Sequence, residues 1–251
     1  MTQFQTGAAA LAALTATNEG NGNGASFAPF KSGSSYKVRV MNATDLMTYY
    51  GYSIFKVVNT FVAKTPSTLN GNGFPTDNLT LWDKAADYYM KQAFAAEGDD
   101  KRVEELKAEA RLYRGKLRFV VPFIDLDTGT PIYVDLSKAQ AQSVFNVIGK
   151  AAAKLGKKAF ELEKNGAGTS TTVTLSQLDL DELSEKQLAN FEKVGENFAG
   201  YNYEGLLYEA DDAEQAKSLQ QAGFDPALIG YGGASDSPSL EKTADEDDLP
   251  F

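Results

Sequence analysis

Charge in this chain is sorted along its length, and the sorting limits what each part can fold into. Residues 31–176 carry 20 Lys+Arg against 15 Asp+Glu, a mild positive excess. Residues 177–251 carry 4 Lys+Arg against 18 Asp+Glu, which accounts for the net charge of −10. The first 30 residues hold one charged side chain, Glu19. Like charges repel when packed together, so the acidic run that closes the chain, residues 245–248, cannot bury itself. A folded body is expected over residues 31–176, after a flexible arm over 1–30. A helical acidic segment over 177–229 and a disordered acidic tail over 230–251 should follow.

The tail closes on Asp245, Glu246, Asp247, Asp248, Leu249, Pro250 and Phe251. Pro250 fixes its own φ and removes a backbone donor, so this run joins neither a helix interior nor a central strand. Two apolar side chains after four carboxylates suit a pocket on another protein, which makes these seven residues the candidate partner-binding tip.

Composition narrows the chemistry. Hydrophobic residues make up 43% of the 251, enough for a core. No run approaches the roughly 18 apolar residues that span a bilayer, and no basic-then-apolar leader opens the chain. A cytoplasmic protein without membrane contact is the expectation. Cysteine and histidine are both absent. Disulfides, thiolate nucleophiles, imidazole bases and nearly every zinc site go with them. No catalytic residue, metal or cofactor is expected, although carboxylate-bound magnesium stays open.

In chain order, Gly7 to Ala16 suggests a short helix and Asn18 onward a Gly/Asn linker. Tyr36 to Val40 alternates as a half-buried strand, with Lys37 and Arg39 on the outer face. Tyr49 to Lys64 is β-branched and aromatic, one long strand or a pair. A Gly/Asn loop follows over 66–78, then two helices to Arg114, the second capped by Asp99 or Asp100. Lys116 to Ile124 and Pro131 to Asp135 form a hairpin, with Pro122 marking an edge or a bulge. Ser137 caps a helix to about Leu155, and 158–175 makes a second hairpin. Ser184 and Gln187 open another helix through a capping box, and a short one spans about 213–222. The string fits a mainly β fold with helical insertions. Its expected form is an OB-fold, a five-stranded partly open barrel, although an unrelated α+β sheet fits the pattern too.

Binding a single strand without sequence preference needs a positive groove for phosphates and aromatic faces for bases. Arg111, Tyr113, Arg114, Lys116 and Arg118 supply both within a few residues, at a helix-to-strand junction. Lys116 and Arg118 are expected on a solvated face, with Leu117 and Phe119 packed inward. Tyr49, Tyr50, Tyr52 and Phe55, with Lys56 and Lys64, form a second cluster. The bland alternative is an ordinary sheet core with charged outer faces. These residues with Lys37 and Arg39 are the candidate nucleic-acid contacts.

The body resembles the phage helix-destabilising, gene-32-type single-stranded-DNA-binding proteins. A Gly/Asn-rich lead runs into the Tyr36–Val40 strand, and a Tyr/Lys-rich strand precedes an inserted subdomain. A basic-aromatic junction then opens a strand ending in an Asp-Thr-Gly turn. The tip resembles that of bacterial single-stranded-DNA-binding proteins. The resemblance implies an OB-fold body that coats single-stranded DNA during replication, recombination and repair. It also implies a tail that contacts replication proteins such as a polymerase, helicase or primase. Two departures stand out. The family's best-known member holds zinc in its insertion through Cys and His. The insertion here, about 66–113, is expected to pack around Leu81, Trp82, Tyr88, Phe94, Val103 and Leu106 instead. Self-association on DNA, which the family drives through a basic N-terminal arm, finds no basic residue before Lys31.

Two other readings compete. One is a magnesium-dependent nuclease or phosphotransferase using Asp125, Asp127 and Asp135, which flank one hairpin. The other is a DNA-annealing recombinase, which would use the same basic and aromatic side chains.

Overall fold

The computed structural model describes residues 25–232. Within them lie two compact units, one built from 25–51 and 116–209, the other from 52–115 and 210–232. The expected N-terminal helix and the acidic tip lie outside the described residues. In chain order the elements are strands β1 (Ser35–Arg39), β2 (Met47–Ile54), β3 (Val58–Ala63), β4 (Thr68–Leu69) and β5 (Pro75–Asp77), and helices α1 (Leu81–Ala95) and α2 (Asp100–Tyr113). Then come β6 (Lys116–Asp125), β7 (Thr130–Leu136), α3 (Lys138–Ala151), β8 (Ala159–Asn165), β9 (Thr172–Leu178), α4 (Glu185–Asn197), β10 (Glu209–Ala210) and α5 (Asp212–Gln221). The protein is thus mixed α/β with a multi-strand sheet, more helical than the mainly β fold expected.

Helix starts follow the sequence. The side chains of Thr80, Asp99, Ser137, Ser184 and Asp211 each accept from the backbone N–H three residues on. Ser137–Gln140, Ser184–Gln187 and Asp211–Glu214 close full capping boxes. Each cap satisfies a donor that the helix cannot and contributes about 1 kcal/mol.

The first unit is an antiparallel sheet. Residues 47–51 of β2 pair with the start of β6, β1 pairs with its end, and β8 and β9 extend the sheet beyond β1. Strand β7 runs along the other edge of β6 for its whole length. Pro122 is therefore not on an edge strand. It sits between Val120, the last partner of β2, and Ile124, the first partner of β1. The missing N–H falls in the gap where β6 changes neighbours.

Alternation gives this sheet two apolar faces. Val38, Val121, Phe123, Val134, Leu136, Phe160 and Leu162 point to one side and pack on Ala141, Val144 and Ile148 of α3. Leu126 and Ala159 lie in a second cluster with Phe191 of α4, joined by Leu178, Leu180 and Leu183. Residues 177–209 thus do not stand apart as an acidic segment. Their few apolar side chains belong to this unit.

The second unit joins residues 52–54 of β2 to β3, the β4–β5 hairpin, α1, α2 and α5. Its core is aromatic. Trp82 lies 5.4 Å from Phe61 and 5.7 Å from Tyr113 between ring centroids, and Tyr113 lies 5.4 Å from Phe224. Leu81, Trp82 and Leu106 are buried as expected, whereas Phe94 is 71% exposed. The stripe that α1 buries runs through Leu81, Trp82, Ala85, Ala86 and Ala93, and Phe94 is one step off it. Among the described residues no helix is long and apolar enough to cross a membrane.

Candidate nucleic-acid interface

In the first unit, the cations read as a solvated face are tethered. Lys37 Nζ donates to the carbonyl of Glu182 at 2.9 Å. Arg39 donates to the carbonyl of Phe191, and its guanidinium carbon stands 4.1 Å over that ring. A methyl on Gly195 would come within 2.7 Å of Arg39 Nη2, so α4 approaches the guanidinium where it has no Cβ. Burial lowers the Arg39 pKa, and the nearby Tyr201 opposes that shift. The strand alternation is as expected, but residues 180–206 lie over the outer face.

Tyr49 and Arg118 are cross-strand neighbours on β2 and β6. Arg118 makes a bidentate pair with Asp135, Nη2 to Oδ2 at 2.7 Å and Nε to Oδ1 at 3.0 Å. Burial alone would lower the Arg118 pKa, but the hydrogen bonds and charge of Asp135 prevail and hold it above its ordinary value. Tyr49 is buried and its pKa is raised, first by burial and then by Asp135. Neither side chain is presented to solvent as a stacking face or a free cation. Lys116 is exposed, Leu117 is 50% exposed rather than inward, and Phe119 packs on the α3 side. Tyr50 is half-buried.

In the second unit, Tyr52 and Tyr113 are core residues, 1% and 3% exposed. The Tyr52 hydroxyl donates to Asp83 Oδ2 at 2.6 Å, and Ser67 donates to the same oxygen at 2.6 Å. Thr80 lies 3.1 Å from it. This buried network ties β2, the segment between β3 and β4, and α1 together, so Tyr52 serves the fold. Burial pushes the Tyr113 phenol up to about 12, with Tyr89 and Glu109 adding to the shift. Arg111 is exposed, 4.0 Å from Glu104, and Lys64 is exposed. Arg114 places its guanidinium carbon 5.4 Å from the Phe74 ring, and Phe74 is 49% exposed. Phe55 and Lys56 are both exposed at the β2–β3 turn.

The sequence reading missed two features. Phe74 lies in a Gly/Asn loop that reads as a connector, and its only signal is an aromatic among turn residues. Lys150, Lys154 and Lys157, at the end of α3 and the turn after it, are exposed. Their three- and four-residue spacing was the available signal.

The three candidate nuclease carboxylates have structural roles. Asp125 accepts from the Asp127 N–H at 3.0 Å and the Thr128 hydroxyl at 2.9 Å, within the hairpin turn. Asp127 accepts from Gln187 Nε2 at 2.7 Å, and Asp135 holds Arg118. Among the described residues no group of three metal-ligating side chains gathers. A cavity of about 320 Å³ lies between the β6–β7 turn and α4, lined by Gly129, Pro131, Val194 and Phe198 among others, with Lys193 as its one charge. Thr128, Asn190 and Asn197 add neutral polar groups, so its lining holds an amine but no carboxylate to pair with it as acid and base. Compared with known protein families, characterised proteins and solved structures, the chain matches none.

Proposed function

We propose that this chain is a single-stranded-DNA-binding protein of the phage type, a coat for exposed strands during replication, recombination and repair. On this reading it has no active site, and its acidic tip recruits replication proteins. The observation that carries the reading is a set of exposed lysines left without an anion. On the first unit, Lys31, Lys116, Lys138, Lys150, Lys154 and Lys157 are exposed and make no ion pair among the described residues. A surface that leaves cations unpaired while the same chain ends in a polyanion suits a polyanionic ligand. The finer fold assignment, an OB-type barrel, draws support from β6, which is flanked by β7 on one edge and handed from β2 to β1 on the other. A strand shared in this way is what a partly open barrel needs.

The test is fluorescence anisotropy of a labelled 30-nucleotide oligo-dT at several salt concentrations, against a duplex of equal length. Tight single-strand binding, with a slope of log K on log salt of about −0.7 per phosphate contacted, supports the reading. Equal affinity for duplex, or none for either, overturns it. Shortening of the oligonucleotide on a gel with magnesium present would favour the nuclease. Deleting residues 231–251 removes a tethered competitor for the cations, so binding at low salt should tighten. Unchanged affinity would overturn the competition.

A further inference from the structure

We infer that the β2–β3 turn, Phe55 with Lys56, is a contact for single-stranded nucleic acid in which the Phe55 ring stacks on an unpaired base and the Lys56 amine meets the adjoining phosphate. This rests on the single-strand-binding reading and adds to it a site that the tyrosines beside it cannot supply. Tyr49 and Tyr52 of the same hairpin are buried. Phe55 is 86% exposed, the most of any large apolar side chain among the described residues.

Three observations place the pair in one role. Lys56 Nζ sits 5.4 Å from the Phe55 ring centre, so ring and cation share one site. The Val57 N–H donates to the Ile54 carbonyl at 2.9 Å, which closes a four-residue turn. Lys56 occupies its third position at φ +63°, where glycine or asparagine is the unstrained choice. Between Met47 and Lys64 the sequence has two cations, Lys56 and Lys64, and no acid. An apolar protein surface would accept the ring, but it gives no reason for a strained lysine beside it or for the absence of acids. A polyanion with flat bases accounts for both.

The mount is firm. Gln221 of α5 donates to the Val57 carbonyl at 2.6 Å. Behind the turn, Tyr52 stacks on Phe61 at 5.4 Å. A ring held on a fixed stalk loses little freedom on stacking, so more of the contact energy appears as affinity.

Three variants test the assignment with the same labelled oligo-dT. Because Phe55 is exposed, Phe55→Ala should melt where the wild type does. It should bind roughly 5- to 150-fold more weakly. Phe55→Trp should retain binding, and its emission should be quenched on titration; the native Trp82 is buried and stays constant. Lys56→Gly should raise the melting temperature by relieving the positive φ, yet flatten the salt dependence by about 0.7 in slope. Opposite signs in stability and affinity are the signature. If the wild type binds oligo-dT while Phe55→Ala binds equally and Phe55→Trp is unquenched, this assignment alone fails. The same result with loss of a protein partner on Phe55→Ala makes the turn a protein contact. If the wild type binds no oligo-dT, both the assignment and the single-strand-binding reading fail.

Discussion

The two units use their aromatic and basic residues in opposite ways. The first unit has an aliphatic core around Val38, Val121 and Ile148 and turns several of its cations inward, onto Glu182, Phe191 and Asp135. The second has an aromatic core around Trp82 and keeps its ion pairs outside on helix surfaces, such as Lys91 with Asp87 and Lys107 with Glu104. Tyr52 and Tyr113 of the second unit are therefore core, and Arg39 and Arg118 of the first are tethers. Among what remains for a ligand are exposed lysines on the first, and on the second the Phe55–Lys56 turn, which carries the most exposed ring.

The sharpest test of this contrast removes the centre of the aromatic core. Trp82 is fully buried, and Trp82→Ala should cost about 3–5 kcal/mol, read as a lowered urea midpoint by circular dichroism. A loss below about 1 kcal/mol would mean that the second unit does not depend on its ring cluster. The next effect belongs to the first unit. Asp135→Asn leaves Arg118 without its anion, and because both side chains are about a quarter to a third exposed the loss should be about 1–2 kcal/mol. No change would reclassify Arg118 as a free cation and a better DNA candidate.

A third test uses alkali. The Tyr113 phenol titrates near 12 in the fold against roughly 10 in an unfolded chain, because burial disfavours the phenolate. Its raised pKa contributes stability that is full below pH 10 and is lost as pH climbs through 12. Tyr113→Phe should therefore lose less stability than the wild type between those values, in melts taken at pH 8 to 12. A wild-type-to-variant gap that is constant over that range would remove Tyr113 from the account. The smallest effect is expected at Lys91→Met, which breaks an exposed pair with Asp87 for less than about 0.5 kcal/mol. A larger loss would show that the helix-surface pairs matter to the second unit after all.

Most elements could be read from the sequence because their causes are local. Ser137, Ser184 and Asp99 announce helix starts through their own side chains, and the Asp127–Gly129 turn announces its hairpin. The faces of β1 were also legible, since Val38 and Arg39 follow strict alternation. What lay over each face was not. Arg39 looks solvated until α4, some 150 residues later, brings the Phe191 carbonyl onto it. Tyr52 looks like a stacking platform until Asp83 and Thr80 claim its hydroxyl. Phe94 was misplaced for a smaller reason, a single residue's rotation off the buried stripe of α1. The candidate site suffered most, because whether a cation or a ring is free depends on long-range packing that no window of sequence contains.

Pro122 carries a consequence for how the first unit finds its pairing. Sliding β1 or β2 by two residues along β6 would keep every side chain on its proper face, so the hydrophobic pattern alone does not forbid it. Such a slide would bring either strand against a ring nitrogen with nothing to donate. One proline thus acts as a stop for both neighbours against sliding toward the middle of β6, a shift that burial alone would accept.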